Sequence, residues 1–259
     1  RQSLLYKTGI DFRLKKIATQ PPLNPYNLDL PDGVLTQTAD DVINDPEIQV
    51  VIETVGGIEP AKTFILKALA AGKDVISANK KLLSEQGAEL FNFAKEHQAA
   101  IGYEASCGGG IPCILALRDG LVANRIDALY GIVNGTSNYI LTRMVADGLS
   151  FADALHEAQG RGYAEADPTL DVGGGDSAHK LALLGSLAFH QLLDPRQIPV
   201  SGIDGLDLPG IRTASEPGYA VNLLASGNRT VAGCDRRGHP SLLAAAHPPA
   251  AAPRVADAV

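Results

Sequence analysis

Short apolar runs alternate with amphipathic stretches through the first hundred residues, and each change of period marks a change of element. "KKIAT" (15–19), "QVVIET" (49–54), "DVISA" (74–78) and "AAIGYE" (99–104) are brief and rich in β-forming residues, which predicts four strands. Among them lie "EPAKTFILKALAAG" (59–72) and "SEQGAELFNFAKEHQ" (84–98), which read as helices. In the first helix Ala61, Ile65, Leu66 and Leu69 recur at helical spacing, Pro60 suits the first turn and Gly72 the C-terminal cap. Strand, helix, strand in this rhythm predicts a parallel α/β sheet with right-handed crossovers.

The rhythm changes after residue 105. "ALYGIVNGT" (128–136) reads as a strand running into a turn, followed by helices at 137–148 and 151–160. Ser150 and Asp153 have the spacing of a capping box at the start of the latter. A further helix is expected from near Gly174 to about His190. The expectation is therefore a partial Rossmann-type parallel-sheet domain over residues 1–104 and an α+β domain over 105–259. From about residue 200 the signals weaken. "HPSLLAAAHPPAAAPRVADAV" is rich in Ala and Pro without a clear period, the composition of a flexible linker.

Composition narrows the partners. With 259 residues, 45% of them hydrophobic, and a net charge of -7, the chain has ample apolar material for a core. Lys and Arg form no cluster, which argues against nucleic acid and anionic membrane and for a small-molecule partner. Cys107, Cys113 and Cys234 are odd in number and show no CxxC spacing, so neither a disulfide framework nor a zinc site is expected, and a reducing cytoplasm fits. No run is long enough to span a membrane and nothing resembles a signal peptide. Because "RQSLLYKTG" opens in what reads as a helix, a missing beginning is expected.

The segment with most chemistry is "GYAEADPTLDVGGGDSAHK" (162–180), which gathers Glu165, Asp167, Asp171 and Asp176 ahead of Lys180. An EF-hand starting at Asp167 needs glycine at its sixth position and glutamate at its twelfth, where this chain has Val172 and Ala178. "GGGDSAHK" lacks the GK[ST] of a phosphate-binding loop. Asp176 and Lys180, four apart, read on spacing alone as an exposed ion pair worth ~0.3–0.5 kcal/mol. They share a stripe with Leu183 and Leu187, however, and the polar strip of His179, Ser186 and His190 is narrow, so most of the helix must be buried. An amine heading a buried stripe among carboxylates has its proton affinity set by burial and charge, which makes it a functional candidate.

With "ETVGG" (53–57), "SANKKLL" (77–83), "YEASCGGGIP" (103–112) and "GIVNGTSNYILTRM" (131–144) in order ahead of that segment, the chain resembles the homoserine dehydrogenases. The likeness is strongest over roughly residues 50 to 190, and it turns the tail from a linker into the ordered end of a substrate domain. It implies reduction of L-aspartate 4-semialdehyde to L-homoserine with NADP or NAD as cofactor. Lys180 would then give the proton to the aldehyde oxygen, with Lys80 as second amine near the nicotinamide. Glu165 and Asp176 would hold the substrate ammonium, Asp171 would support them, and Thr136 would lie near the substrate. Thr54, Lys80 and Gly162 would touch the cofactor. Backbone carbonyls of Glu104, Cys107, Gly109 and Ile111 would hold a sodium ion. A cytoplasmic homodimer is implied as well.

Departures from the family pattern keep two alternatives in view: a non-catalytic remnant that binds without turnover, and another amino-acid aldehyde oxidoreductase. The family's first strand and GxGxxG turn would precede Arg1, and no other GxGxxG replaces them; a closing segment would follow Val259. Gln20 stands after the first predicted strand where many NADP-preferring relatives have arginine. As the glycine turn is what brings backbone amides onto a pyrophosphate, these 259 residues alone are expected to bind NADPH poorly; low-micromolar affinity in a fluorescence titration would refute this.

Overall fold

A computed structural model of the chain describes residues 2–24, 27–231, 233–244 and 258. It divides into two compact units. The first comprises residues up to Ser77 together with Glu89–Gly102, and the second comprises Ala78–Ala88 together with the chain from Tyr103 onward. The change at 102/103 falls two residues before the expected boundary. That residues 78–88 count with the second unit had no sign in the order of elements.

The first unit is α/β. Its elements are α1 (Gln2–Thr8), β1 (Ile17–Ala18), β2 (Leu35–Thr36), α2 (Ala39–Ile43), β3 (Val50–Glu53), α3 (Ala61–Ala70), β4 (Asp74–Ser77), the later turns of α4 (Lys80–Glu96) and β5 (Ile101–Gly102). All its strand pairs are parallel: β1 with β2, and β3 with β4 with β5 in register Val51–Val75 and Val75–Ile101. The strands expected as one sheet thus fall into two, and β2, only two residues long, was not anticipated. Burial of Ala61, Ile65, Ala68 and Leu69 fixes the inner face of α3, with Leu66 half-buried beside it, and Gly72 takes the left-handed conformation (φ +72°) that ends the helix. Lys73 is buried at the start of β4, where its amine donates to the carbonyls of Asp45 and Ile48 at 2.6 Å each and ties down the entrance to β3.

The second unit is α+β. After the first turns of α4 come a 3₁₀ turn at Glu104–Ser106, α5 (Cys113–Leu115) running into a π-helical turn, β6 (Ala128–Gly131), α6 (Gly135–Asp147), α7 (Phe151–Gly160), α8 (Thr169–Val172), α9 (Gly175–Phe189), α10 (Leu208–Ser215), β7 (Tyr219–Thr230) and β8 (Gly233–Ala244). β6, β7 and β8 form an antiparallel sheet with β7 central. One core gathers Ile140, Met144, Ala154, Ala158, Val172, Ile203, Ile211 and Leu223. Each fully buried Ile or Leu here contributes roughly 1.5–3 kcal/mol. Ser150 caps α7 by accepting from the Asp153 amide at 3.2 Å while its hydroxyl donates to the Asp153 carboxylate at 2.6 Å, so the expected cap is present with the side chains paired directly.

The hairpin of β7 and β8 was not expected from the sequence. Residues 222–227 are buried without alternation, as in a strand covered on both faces, and they include Asn222, Ser226 and Gly227, so no period of two appears. β8 contains Pro240, which is tolerated because β8 lies at the edge of the sheet. The linker reading fails for residues 239–244, which belong to β8; residues 245–257 lie outside those described, and Ala258 bridges Ile132.

The chain returns past α8 through Gly202, where a Cβ would lie 2.1 Å from the Val172 carbonyl oxygen and 2.6 Å from the Gly173 Cα. Both neighbours are backbone, and the Ile203 amide donates to the same Val172 carbonyl at 2.7 Å. Gly202→Ala should therefore cost about 3 kcal/mol, the upper range for overpacking, whereas Gly205→Ala, with open space around it, should stay within ~0.5 kcal/mol. Urea unfolding of the two variants checks this; equal midpoints would show that the approach is relaxed at no cost.

Candidate active site

The site grows from the start of α9. Gly174, in the left-handed conformation (φ +85°), lets the chain turn from α8 into α9 within three residues and sets Asp176 in the first helical turn, where the positive end of the helix dipole favours a carboxylate. Lys180 follows one turn later on the same side. Its amine is 3.0 Å from Asp176 Oδ2 and also donates to the carbonyl of Val133. The side chains of Asp176 and Lys180 are 4% and 14% exposed, which removes them from the class of surface ion pairs.

A second amine reaches the same carboxylate. Lys80 is the first residue of α4, immediately after Asn79, whose side chain accepts from the Leu82 amide at 3.1 Å and so caps the helix. Its Nζ lies 3.0 Å from Asp176 Oδ1 and keeps about a third of its side chain exposed. Asp176 thus carries one lysine on each oxygen. Burial pushes its carboxyl up, but the charges of Lys180 and then Lys80, with hydrogen bonds from Lys80 and Asn134, bring it below the usual aspartate range.

Asn134, absent from the residues expected from sequence, completes the group. Its side-chain oxygen accepts from the Ser137 amide at 2.7 Å, which starts α6 two residues earlier than expected. Its amide nitrogen donates both protons, to Asp171 Oδ1 at 2.8 Å and to Asp176 Oδ2 at 2.9 Å. Asparagine is a favoured helix N-cap, and that preference was the signal available in "NGTS". Asp171 is half-buried; burial raises its carboxyl, the Asn134 bond opposes this, and the neighbouring Asp176 charge adds to it.

The remaining expected residues are placed as follows. Thr136 is buried in α6 and its hydroxyl donates to the Tyr163 carbonyl at 2.7 Å, anchoring the loop that carries Gly162 and Glu165. Glu165 is exposed; its backbone carbonyl accepts from Gln159, and among the described residues its carboxylate bonds none of the group above. Asp167 is spent locally, accepting from the amide and hydroxyl of Thr169. Gly162 is exposed with φ +76°. Thr54 is exposed in the first unit, just beyond β3. There the buried Glu53 accepts from the amides of Val55 and Gly56 and from the Ser77 hydroxyl at 2.6 Å, fixing the loops after β3 and β4.

In the 104–111 segment the Glu104 carboxylate caps α5, accepting from the Ile114 and Leu115 amides. The Glu104 and Ile111 carbonyls accept from the Cys107 and Cys113 amides, and the Cys107 carbonyl meets the Cys113 thiol. Burial pushes the Cys107 thiol up to about 12, so it is no thiolate nucleophile at neutral pH. Among the described residues no cluster of three or more His, Cys, Asp or Glu side chains could hold a metal ion, and no helix is long and apolar enough to cross a membrane.

Chemically, a buried carboxylate holding two ammonium groups is a poised proton source for an oxygen that becomes negative, while Asp171 and Glu165 retain capacity for a cation. Both Asp176 oxygens are committed to lysines, so an arriving ammonium would compete with them.

Comparison with known proteins returns one family twice. A model described as homoserine dehydrogenase matches residues 112–259, and one described as homoserine dehydrogenase, NAD binding domain, matches residues 2–104. The chain is 43% identical over 213 residues to the homoserine dehydrogenase of Neisseria gonorrhoeae, covering 82% of this chain and 49% of that protein. With that of Bacillus subtilis it shares 39% over 248 residues, 96% and 57% of the two. A homoserine dehydrogenase from Thiobacillus denitrificans superposes with a TM-score of 0.81 at 45% identity over 84% of this chain and 51% of that one. A hyperthermophilic archaeal homoserine dehydrogenase solved in complex with NADPH gives 0.69 at 25% identity over 83% and 62%. The chain spans about half the length of the curated relatives it matches.

Asn134→Ala removes a helix cap and both carboxylate bonds, and should cost about 2 kcal/mol. Asp171's folded pKa lies above its unfolded value, so the native state holds more protons in that window and stability falls as pH rises through it. Loss of the Asn134 bond raises that pKa further. The deficit of the variant should therefore be larger at pH 7.5 than at pH 4, by urea midpoint; a deficit that shrinks with pH would mean that Asn134 does not serve Asp171.

Proposed function

The chain belongs to the homoserine dehydrogenase family, and on that premise we propose that the full-length protein reduces L-aspartate 4-semialdehyde to L-homoserine with NADPH or NADH, on the route to threonine, methionine and isoleucine. The observation that carries the reading is the buried Asp176 with an amine on each oxygen.

The nicotinamide cofactor supplies a hydride to the carbonyl carbon when bound. Lys180, held by Asp176 and the Val133 carbonyl, donates a proton to the oxygen as the carbonyl π electrons move onto it, leaving a C–H bond, an O–H bond and a neutral amine. Lys80 keeps positive charge beside that oxygen and holds Asp176 ionised while Lys180 is deprotonated. Glu165 and Asp171 take the substrate ammonium, and Asp176 supports it through the lysines it positions. Thr136 fixes the Tyr163 carbonyl and so the loop bearing Gly162 and Glu165.

Support for the cofactor is partial within this chain. Thr54 follows the C-terminal end of the parallel strand β3, where open α/β sheets bind ligands, and Glu53 holds this loop in place; Lys80 and Gly162 are the cofactor candidates of the second unit. These residues suit the nicotinamide end; the glycine turn for a pyrophosphate is not among the 259 residues. A sodium ion on the carbonyls of Glu104, Cys107, Gly109 and Ile111 belongs to the same proposal; Gly108 and Gly109 take positive φ there, and the ion would share the Glu104, Cys107 and Ile111 oxygens with the Cys107 amide, the Cys113 thiol and the Cys113 amide. A cytoplasmic homodimer completes it, with Tyr130, Tyr219 and Leu242 as exposed apolar side chains of the second sheet.

Lys180→Ala in the full-length protein should lower turnover by roughly 10²–10⁴-fold while homoserine and cofactor still bind, because alanine keeps the helix and removes the donor. Steady-state rates beside binding isotherms test it. Near-normal turnover would leave Lys80 as the remaining candidate amine.

A further inference from the structure

One buried titratable group next to the site has no part in the chemistry above. His179 is 8% exposed in α9, between Asp176 and Lys180, and its Nδ1 lies 2.8 Å from the hydroxyl of Ser84, itself 8% exposed. Ser84 is one turn beyond Lys80 in α4. The two helices are therefore joined by two rungs: Lys80 to Asp176, and Ser84 to His179, four residues on along α4 and three along α9. These spacings are about 6 and 4.5 Å of helix rise, so the rungs are successive on matching faces. Glu85 Oε1 faces the other ring nitrogen at 3.8 Å, and the Ser84 hydroxyl also lies 3.1 Å from the Lys81 carbonyl.

We propose that His179 is a positioning residue: its bond to Ser84 fixes the register of α4 on α9 and thereby holds the Lys80 amine on Asp176. The proposal rests on the reading that Lys80 serves the reduction. Lys80 needs such help. Its four-carbon stem is a third exposed, and a lone ion pair on a flexible stem sacrifices rotamer freedom to hold one geometry. A bond between two short, buried side chains one turn away loses far less, so the rigid rung sets the spacing and the flexible one follows. The groups facing the ring are Ser84, Glu85, Lys80 and Lys81 from α4, and Asp176 from its own helix. Burial lowers the proton affinity of the imidazole, with Glu85 and Asp176 opposing, so the ring is neutral at pH 7.5. As a neutral ring it pairs with the Ser84 hydroxyl through Nδ1, and its Nε2 faces Glu85.

The test uses the full-length protein. His179→Leu and Ser84→Ala should each lower kcat by roughly 10–100-fold, with KM for homoserine within about 2-fold, as expected for a group misplaced by an ångström. The double variant should be no worse than either single, and His179→Asn, which can keep a nitrogen or oxygen near the Nδ1 position, should recover most of the rate. A readout independent of turnover is reductive methylation by formaldehyde and borohydride, followed by mass spectrometry. Lys80 should label several-fold faster in His179→Leu than in the parent, with Lys62, paired to Glu89, as the unchanged reference. Equal labelling of Lys80, or a full His179→Leu defect persisting in a Lys80→Ala background, would overturn the inference while leaving the dehydrogenase reading intact. Normal turnover by Lys80→Ala alone would overturn the reading that Lys80 serves the reduction, and the inference with it, while the dehydrogenase reading would stand.

Discussion

A carboxylate 3% exposed, with a cation on each oxygen, is the constraint around which the second unit is arranged. Removing an ion from water costs several kcal/mol even after relaxation, and the Coulombic return covers this only where geometry is close and every lone pair is used. Asp176 comes close to the condition, with a lysine on each oxygen and the Asn134 amide as a third donor. Each partner removed weakens the compensation of a buried charge, so the three elements that supply partners, α4, α6 and α9, are held together through Asp176. A charge arrangement that is costly to build and worse to break holds its side chains in one geometry.

The elements that converge there do so for local reasons. α9 can begin as abruptly as it does because Gly174 accepts a left-handed backbone, and α6 begins where it does because Asn134 caps it. Asn134 then uses its remaining donors on the two acids, so a cap that any helix could have becomes the part that keeps Asp171 and Asp176 apart in charge and together in space. Residues 78–88 bring Lys80, and Ser84 and Glu85 face His179 from the same stretch.

What was legible in the sequence follows from range. The i,i+4 spacing of Asp176 and Lys180 and the apolar stripe below them are local, and both the helix and its burial were readable from them. The strands at 50–53 and 74–77 were short apolar runs with clear ends. Asn134 lay in a stretch read as a turn, because "NGT" serves a turn and a helix start equally well. β7 and β8 were hidden by burial on both faces and by an edge proline, and the pairing of β1 with β2 by its length of two residues. That Lys80 shares a carboxylate with Lys180, a hundred residues on, is tertiary and has no pattern along the chain.

The first unit shows the same device in weaker form. Glu53, also buried, accepts hydrogen bonds from two backbone amides and one hydroxyl, so it fixes loops where Asp176 fixes amines. Beyond it, the parallel strands form two sheets, β1 with β2 and β3 with β4 and β5, and Ile52 of β3 is 67% exposed. The Lys80 and Lys180 amines thus meet Asp176 within the second unit's own contacts, whereas β1 and β3 of the first unit do not pair with each other.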